Sequence, residues 1–154
     1  MNYKIIIPAL LLILNSCGYK IVNQNYLKNY KILEINVTGD KRVAYLIRNK
    51  LNTGNQSGSK SIKLDINSKK IKNIKEKNIQ NEITKYEITI STEISFYLLE
   101  NGLNGKFSIS KNGDYFIEDK YSDTLNNEKK LVKNLVNDIS EQILRNLQIK
   151  IDEL

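Results

Sequence analysis

The chain has no histidine and no tryptophan, and only one cysteine, one proline and one methionine in 154 residues. Without histidine there is no usual general base near neutral pH, no Ser-His or Cys-His nucleophile pair, and none of the commonest metal ligand. A single cysteine, Cys17, excludes a small domain stapled by internal disulfides. Apolar content of 40% with almost no proline argues against a disordered chain. Long hydrophobic runs are also missing: the most apolar segment, residues 5–14, is shorter than the ~20 residues a helix needs to cross a bilayer. What remains is a lysine-rich chain of formal charge +7, with 24 Lys and Arg against 17 Asp and Glu. Neither catalytic residues, nor metal ligands, nor a cofactor motif is apparent, so the chain reads as non-enzymatic. An enzyme would need a carboxylate pair such as Glu87 and Glu93, and these lie apart along one strand face.

The first residues follow the layout of a secretory signal. Lys4 supplies the positive start, residues 5–14 the apolar core, and Ser16 a small residue before the cut. Ser16-Cys17 resembles the lipobox of bacterial lipoproteins, although Asn15 stands where small or hydroxylated residues are more usual. The resemblance implies that residues 1–16 are removed and that Cys17 is lipidated with palmitate-type chains, which hold a protein on a membrane without spanning it. The alternative is a stray thiol behind a plain signal peptide. Gly18, in place of aspartate, implies outer-membrane sorting by resemblance to Gram-negative lipoproteins. Export leaves an anionic lipid surface, and not nucleic acid, as a partner for the basic charge.

Beyond Cys17, residues 17–30 read as the lipidated N-terminus and a polar tether, and residues 31–154 as one domain. Leu33, Ile35 and Val37 alternate with polar residues as in a half-buried strand. Asp40 is placed to cap a helix carrying Val43, Leu46, Ile47 and Leu51, and residues 53–59 form a loop. Ile62, Leu64 and Ile66 mark a second strand, after which the pattern slips into a stretch holding Lys69, Lys70, Lys72, Lys75 and Lys77. The clearest strand follows, with Tyr86, Ile88, Ile90, Thr92, Ile94, Phe96 and Leu98 on one face. Asn101-Gly102 predicts a turn into a fourth strand, which Asn112-Gly113-Asp114 interrupts. A long helix then starts near Asp123 or Thr124 and carries an apolar stripe from Leu131 to Leu147. The expected fold is α+β, a two-layer sandwich with two helices on one face of a four-stranded, largely antiparallel sheet.

Cys17-Gly18-Tyr19, Arg48-Asn49-Lys50-Leu51, the strand at Lys85-Tyr86-Glu87-Ile88-Thr89-Ile90, Tyr115-Phe116 and the helix end Ile143-Leu144-Arg145-Asn146-Leu147 together resemble the LPS-assembly lipoprotein family, LptE. The resemblance covers the mature chain, and its weight lies in the joint pattern. It implies a non-enzymatic lipoprotein of the outer membrane, anchored on the periplasmic side. Such a protein sits in the lumen of the LptD β-barrel, helps it assemble, and binds lipopolysaccharide for delivery to the outer leaflet.

A basic residue in the family's second-strand region is tied to lipopolysaccharide contact, which points to Lys75 and Lys77, with Lys72 beside them, in a cluster at the end of one strand and in the loop to the next. The family's second basic position falls near Leu125, where Lys120 or Lys129 could only substitute. An even reading of the lysine cluster is a solvated edge that discourages strand pairing. Two other functions fit the same features. One is a lipoprotein chaperone or pilotin of another outer-membrane channel. The other is a free-standing module for an anionic glycolipid, with the polar sheet face as its site.

Overall fold

The computed structural model describes Leu27, residues 30–52 and residues 58–153. Cys17, the signal segment, nearly all of the tether and residues 53–57 of the glycine-rich loop lie outside the described residues. The elements run β1 (Tyr30–Gly39), α1 (Lys41–Asn52), β2 (Lys60–Lys77), β3 (Ile83–Leu98), β4 (Asn104–Phe116) and α2 (Tyr121–Asp152). The strands form one sheet in the order β1-β2-β3-β4. The two later pairs are antiparallel and β1 runs parallel to β2. A parallel pair needs a crossover, and α1 supplies it. The α+β sandwich expected from the alternation is therefore present, as a mixed sheet that is mostly antiparallel.

Both helices cover the same sheet face. Val43, Ile47 and Leu51 of α1, and Leu135, Ile139, Ile143 and Leu147 of α2, pack on Ile62, Leu64, Ile66, Ile88, Ile90, Ile94 and Phe96. Removing this apolar surface from water, at ~25 cal/mol per Å², is the main force holding the layers together. Asp40 caps α1 as its position predicts: Oδ1 accepts from the backbone N–H of Val43 at 2.9 Å and of Arg42 at 3.1 Å. Gly39, at φ +90°, turns the chain off β1, and the Asp40 N–H is donated to the Ser68 carbonyl at 2.7 Å. Leu27, within the stretch read as tether, is buried in the core with 3% exposure.

Four local expectations are corrected. A bulge between Ile32 and Glu34 turns Leu33 out of the apolar face, leaving it 58% exposed. β2 does not stop near Ile66 but continues to Lys77, so the lysine cluster stands wholly within a strand and not partly in the loop after it. β4 runs unbroken through Asn112-Gly113-Asp114, because Gly113 lies beneath Leu131 of α2 where a side chain would collide. α2 begins at Tyr121, and its N-cap, Lys120, makes no side-chain capping bond. Thr124 instead holds the preceding loop, accepting from the Glu118 N–H at 2.8 Å and donating to its carbonyl.

Candidate functional site

β1 ends opposite Ser68, whereas β2 and β3 continue together to the turn at residues 78–81. Residues 69–77 of β2 therefore form an arm paired with β3 on one side and, among the described residues, with no strand on the other. Period-two alternation dictates where the arm's lysines fall. Lys70 and Lys72 follow Ile62, Leu64, Ile66 and Ser68 on the helix-covered face, opposite Ile90 and Ile88. Lys75 sits in a bulge between Ile74 and Glu76 and emerges on the open face. The lysines predicted to act together are thus divided between two faces.

On the helix side, Lys72 Nζ donates to Glu128 Oε2 of α2 at 3.0 Å, and the Tyr115 hydroxyl donates to the same oxygen at 2.8 Å. Lys70 approaches the other carboxylate oxygen at 3.8 Å. The Lys72 ammonium also lies 4.1 Å from the Tyr86 ring centroid and 5.4 Å from that of Tyr115. Partial burial opposes both charges, but the Tyr115 and Glu128 contacts outweigh it at Lys72 and raise its pKa. At Glu128 burial is likewise outweighed, by Lys72, Tyr115 and Lys70, and the carboxyl is held below its usual range. Burial and the neighbouring Glu128 push the Tyr115 phenol up. This cluster is built as a fastening between α2 and the arm.

On the open face, Lys75 Nζ donates to Asp114 Oδ1 at 3.0 Å and lies 3.7 Å from Glu87. Lys85 pairs with Glu76 at 2.8 Å, lies 3.8 Å from Asp114, and stands 4.3 Å from the Phe116 ring centroid. The hydrogen bond from Lys75 lowers the Asp114 pKa, and the bond to Asp114 raises that of Lys75. Lys72 and Lys75 are therefore both neutralised by carboxylates of this chain.

The remaining two predicted lysines lie at one end of the molecule. Lys77 pairs in register with Ile83, and Ile117, three residues before Lys120, bonds through its N–H to the Thr84 carbonyl. Lys77 donates to the neutral Asn81 Oδ1 at 2.9 Å. No side-chain partner of Lys120 is present among the described residues. Around them stand exposed apolar groups that the alternation did not single out: Ile74, Phe116, Ile117, Tyr121 and Ile79, the last 97% exposed at the turn. The turn is firm, since Asn78 Oδ1 accepts from the N–H groups of Gln80 and Glu82. Isoleucines recurring within and just beyond the lysine stretch, at Ile74 and Ile79, were the available sign in the sequence. Cations beside exposed apolar side chains form the chemical complement of an anionic amphiphile.

At the level of sequence, no family model and no curated protein matches the chain. The fold does have counterparts. The rare lipoprotein B of Shewanella oneidensis superposes with a TM-score of 0.59 at 15% identity, over 78% of this chain and 97% of that one. This chain shares the fold of rare lipoprotein B. A candidate lipoprotein of Caulobacter crescentus CB15 matches with a TM-score of 0.58 at 15% identity, over 85% of this chain and 96% of that one. The uncharacterized lipoprotein B of Nitrosomonas europaea matches at 0.50 and 13%, over 77% and 84%. In the rare lipoprotein B fold of this chain, Glu87 serves Lys75 and Asn112, while Glu93 stands farther along the strand, opposite Asn67 and Ser108. Among the described residues no group of acidic or sulfur side chains is disposed to hold a metal ion, and no helix is long and apolar enough to cross a membrane.

Proposed function

We propose that the chain is a lipid-anchored lipoprotein of the LptE type. It is attached to the outer membrane through Cys17, docks inside an LptD-type barrel, assists the barrel's assembly, and binds lipopolysaccharide. The observation that carries this reading is the coincidence of the rare lipoprotein B fold with the Ser16-Cys17-Gly18 signal in the same chain. The barrel partner rests on the sequence resemblance to LptE. A two-layer body with a polar open sheet face suits the wet, polar lumen of such a barrel.

For the ligand, the end of the molecule bearing Lys77, Lys120, Ile79, Phe116 and Tyr121 is favoured over the arm's lysines as a group. Lipopolysaccharide offers phosphates and acyl chains together, and this end offers cations and apolar surface together. Lys72 and Lys75, committed to Glu128 and to Asp114 and Glu87, take structural roles.

The test is to tag the C-terminus, extract the protein gently from its native outer membrane, and identify what co-purifies in equal amount. A single large barrel of the lipopolysaccharide-export type supports the proposal. A different channel points to a pilotin, and no stoichiometric partner points to a free-standing glycolipid-binding module.

A further inference from the structure

We propose that the outer edge of β1, walled by α1, is a docking groove for an extended acidic segment of a partner protein, which joins the sheet as a fifth strand. Among the described residues β1 is an edge strand, and alternate residues along it direct their backbone N–H and C=O groups away from β2. Two clefts run along this edge and meet at Val37 and Arg48. One, of about 520 Å³, spans residues 33–37 with Arg48 and Asn52. The other, of about 430 Å³, spans residues 37–39 with Lys41, Ala44, Tyr45 and Arg48. Seven residues of strand give about 23 Å of edge, enough for a six- to eight-residue segment.

The two exposed edges of this half of the sheet are handled differently. The free edge of β2, residues 69–77, carries five lysines, the usual device against unwanted pairing. Residues 33–39 of β1, Leu-Glu-Ile-Asn-Val-Thr-Gly, carry neither lysine nor proline. Their polar side chains are drawn inward over the open face, Glu34 to Lys63 at 2.9 Å and Asn36 to Asp65 at 3.0 Å. The positive charge is set back onto the helix wall. Lys41, Tyr45 and Arg48 follow one another at four- and three-residue steps on α1, with Tyr45 61% exposed between the two cations. Neither cation has an acidic partner among the described residues. An incoming strand finds backbone groups to pair with, an apolar floor at Val37 and Ala44, and two cations for its carboxylates.

The experiment is a titration of the isotope-labelled full chain with a capped octapeptide alternating valine and aspartate, followed by amide chemical shifts. Shifts confined to residues 33–39, Tyr45 and Arg48 are expected. Of two peptides N-methylated at the odd or the even positions, one should lose binding and the other keep it, because a strand pairs through one edge. Replacing aspartate by lysine in the peptide, or the double variant Lys41→Glu/Arg48→Glu, should weaken binding at least about tenfold. Lys69→Glu should leave it unchanged. Absence of binding at millimolar peptide, shifts along residues 69–77, or indifference to the double charge reversal would overturn the proposal. So would protection from exchange, in the free chain, of those amides of residues 33–39 that face away from β2, which would mean that one of its own segments fills the groove.

Discussion

Lys72 of β2 and Glu128 of α2 meet at 3.0 Å across the boundary between sheet and helix layer, on the face where the apolar core gives way to charge. The contact explains why a lysine can occupy a core-face position: the carboxylate compensates the ammonium, and Tyr115 and Tyr86 cover what remains.

Glu128→Gln should therefore lower stability by about 1 kcal/mol, a charged hydrogen bond discounted for partial exposure. The pH dependence has a definite sign. The Glu128 carboxyl is held below its ordinary value of 4.5, against the burial that opposes it. Its contribution is thus present above that unfolded value and is lost as pH falls through the folded one. Urea unfolding at pH 6 and pH 3 should show a smaller loss for Glu128→Gln than for the parent chain. Equal losses would remove Glu128 from the acid response.

Gly39→Ala tests the hinge between β1 and α1. A Cβ there would lie 2.0 Å from the Ser68 carbonyl oxygen, which is backbone and already accepts from Asp40. The position also holds φ at +90°. The strained backbone and the collision together should cost about 2 kcal/mol or more, read as a lower urea midpoint. A substitution tolerated within ~0.5 kcal/mol would mean that the turn can re-form around a side chain.

How much of this was legible follows from the residues. Alternation from Tyr86 to Leu98 and the stripe from Leu131 to Leu147 specify a half-buried strand and a covering helix, and both elements are found. The length of β2 was not legible, because Lys70 and Lys72 take core-face positions that only Glu128, 56 residues beyond Lys72, makes tenable. Gly113 reads locally as a turn, yet it belongs to an unbroken strand that needs room for Leu131. Leu33 fits the period of its strand but is displaced by a bulge that no residue pattern announces. At the candidate site, the lysines were visible as a cluster, but their division between faces depended on the strand continuing. Cys17 lies outside the described residues, so its place in the argument rests on sequence.

The two groups of lysines should separate experimentally. Lys75→Glu would place a third carboxylate beside Asp114 and Glu87, so it should lower the unfolding midpoint whatever it does to ligand. Lys77→Glu/Lys120→Glu should leave the unfolding free energy within ~0.5 kcal/mol of the parent's, since neither side chain has an ionic partner among the described residues. On the proposed function, that double variant, and Ile79→Asp beside it, should weaken lipopolysaccharide binding in a filter or calorimetric assay. The charge variant's effect should shrink as salt rises. Full binding by both variants would exclude this end of the molecule as the ligand site.

The last prediction concerns a buried pair of hydroxyls in the strand core. Ser68 Oγ and Thr92 Oγ1 lie opposite each other, both buried, 3.4 Å apart. At that separation the bond is long, so each group recovers only part of the hydration lost on burial. Thr92→Val keeps the shape of the side chain but leaves the Ser68 hydroxyl unpaired in an apolar setting, which should cost about 1 kcal/mol. Ser68→Ala should cost a similar amount by stranding Thr92. The double variant removes both hydroxyls and should be at least as stable as either single variant, so the cycle should show coupling of ~0.5 kcal/mol or more. Strict additivity would mean that each hydroxyl is satisfied by something other than its neighbour. Coupling would mark this pair as a polar seam at the level where β1 ends and the lysine arm begins.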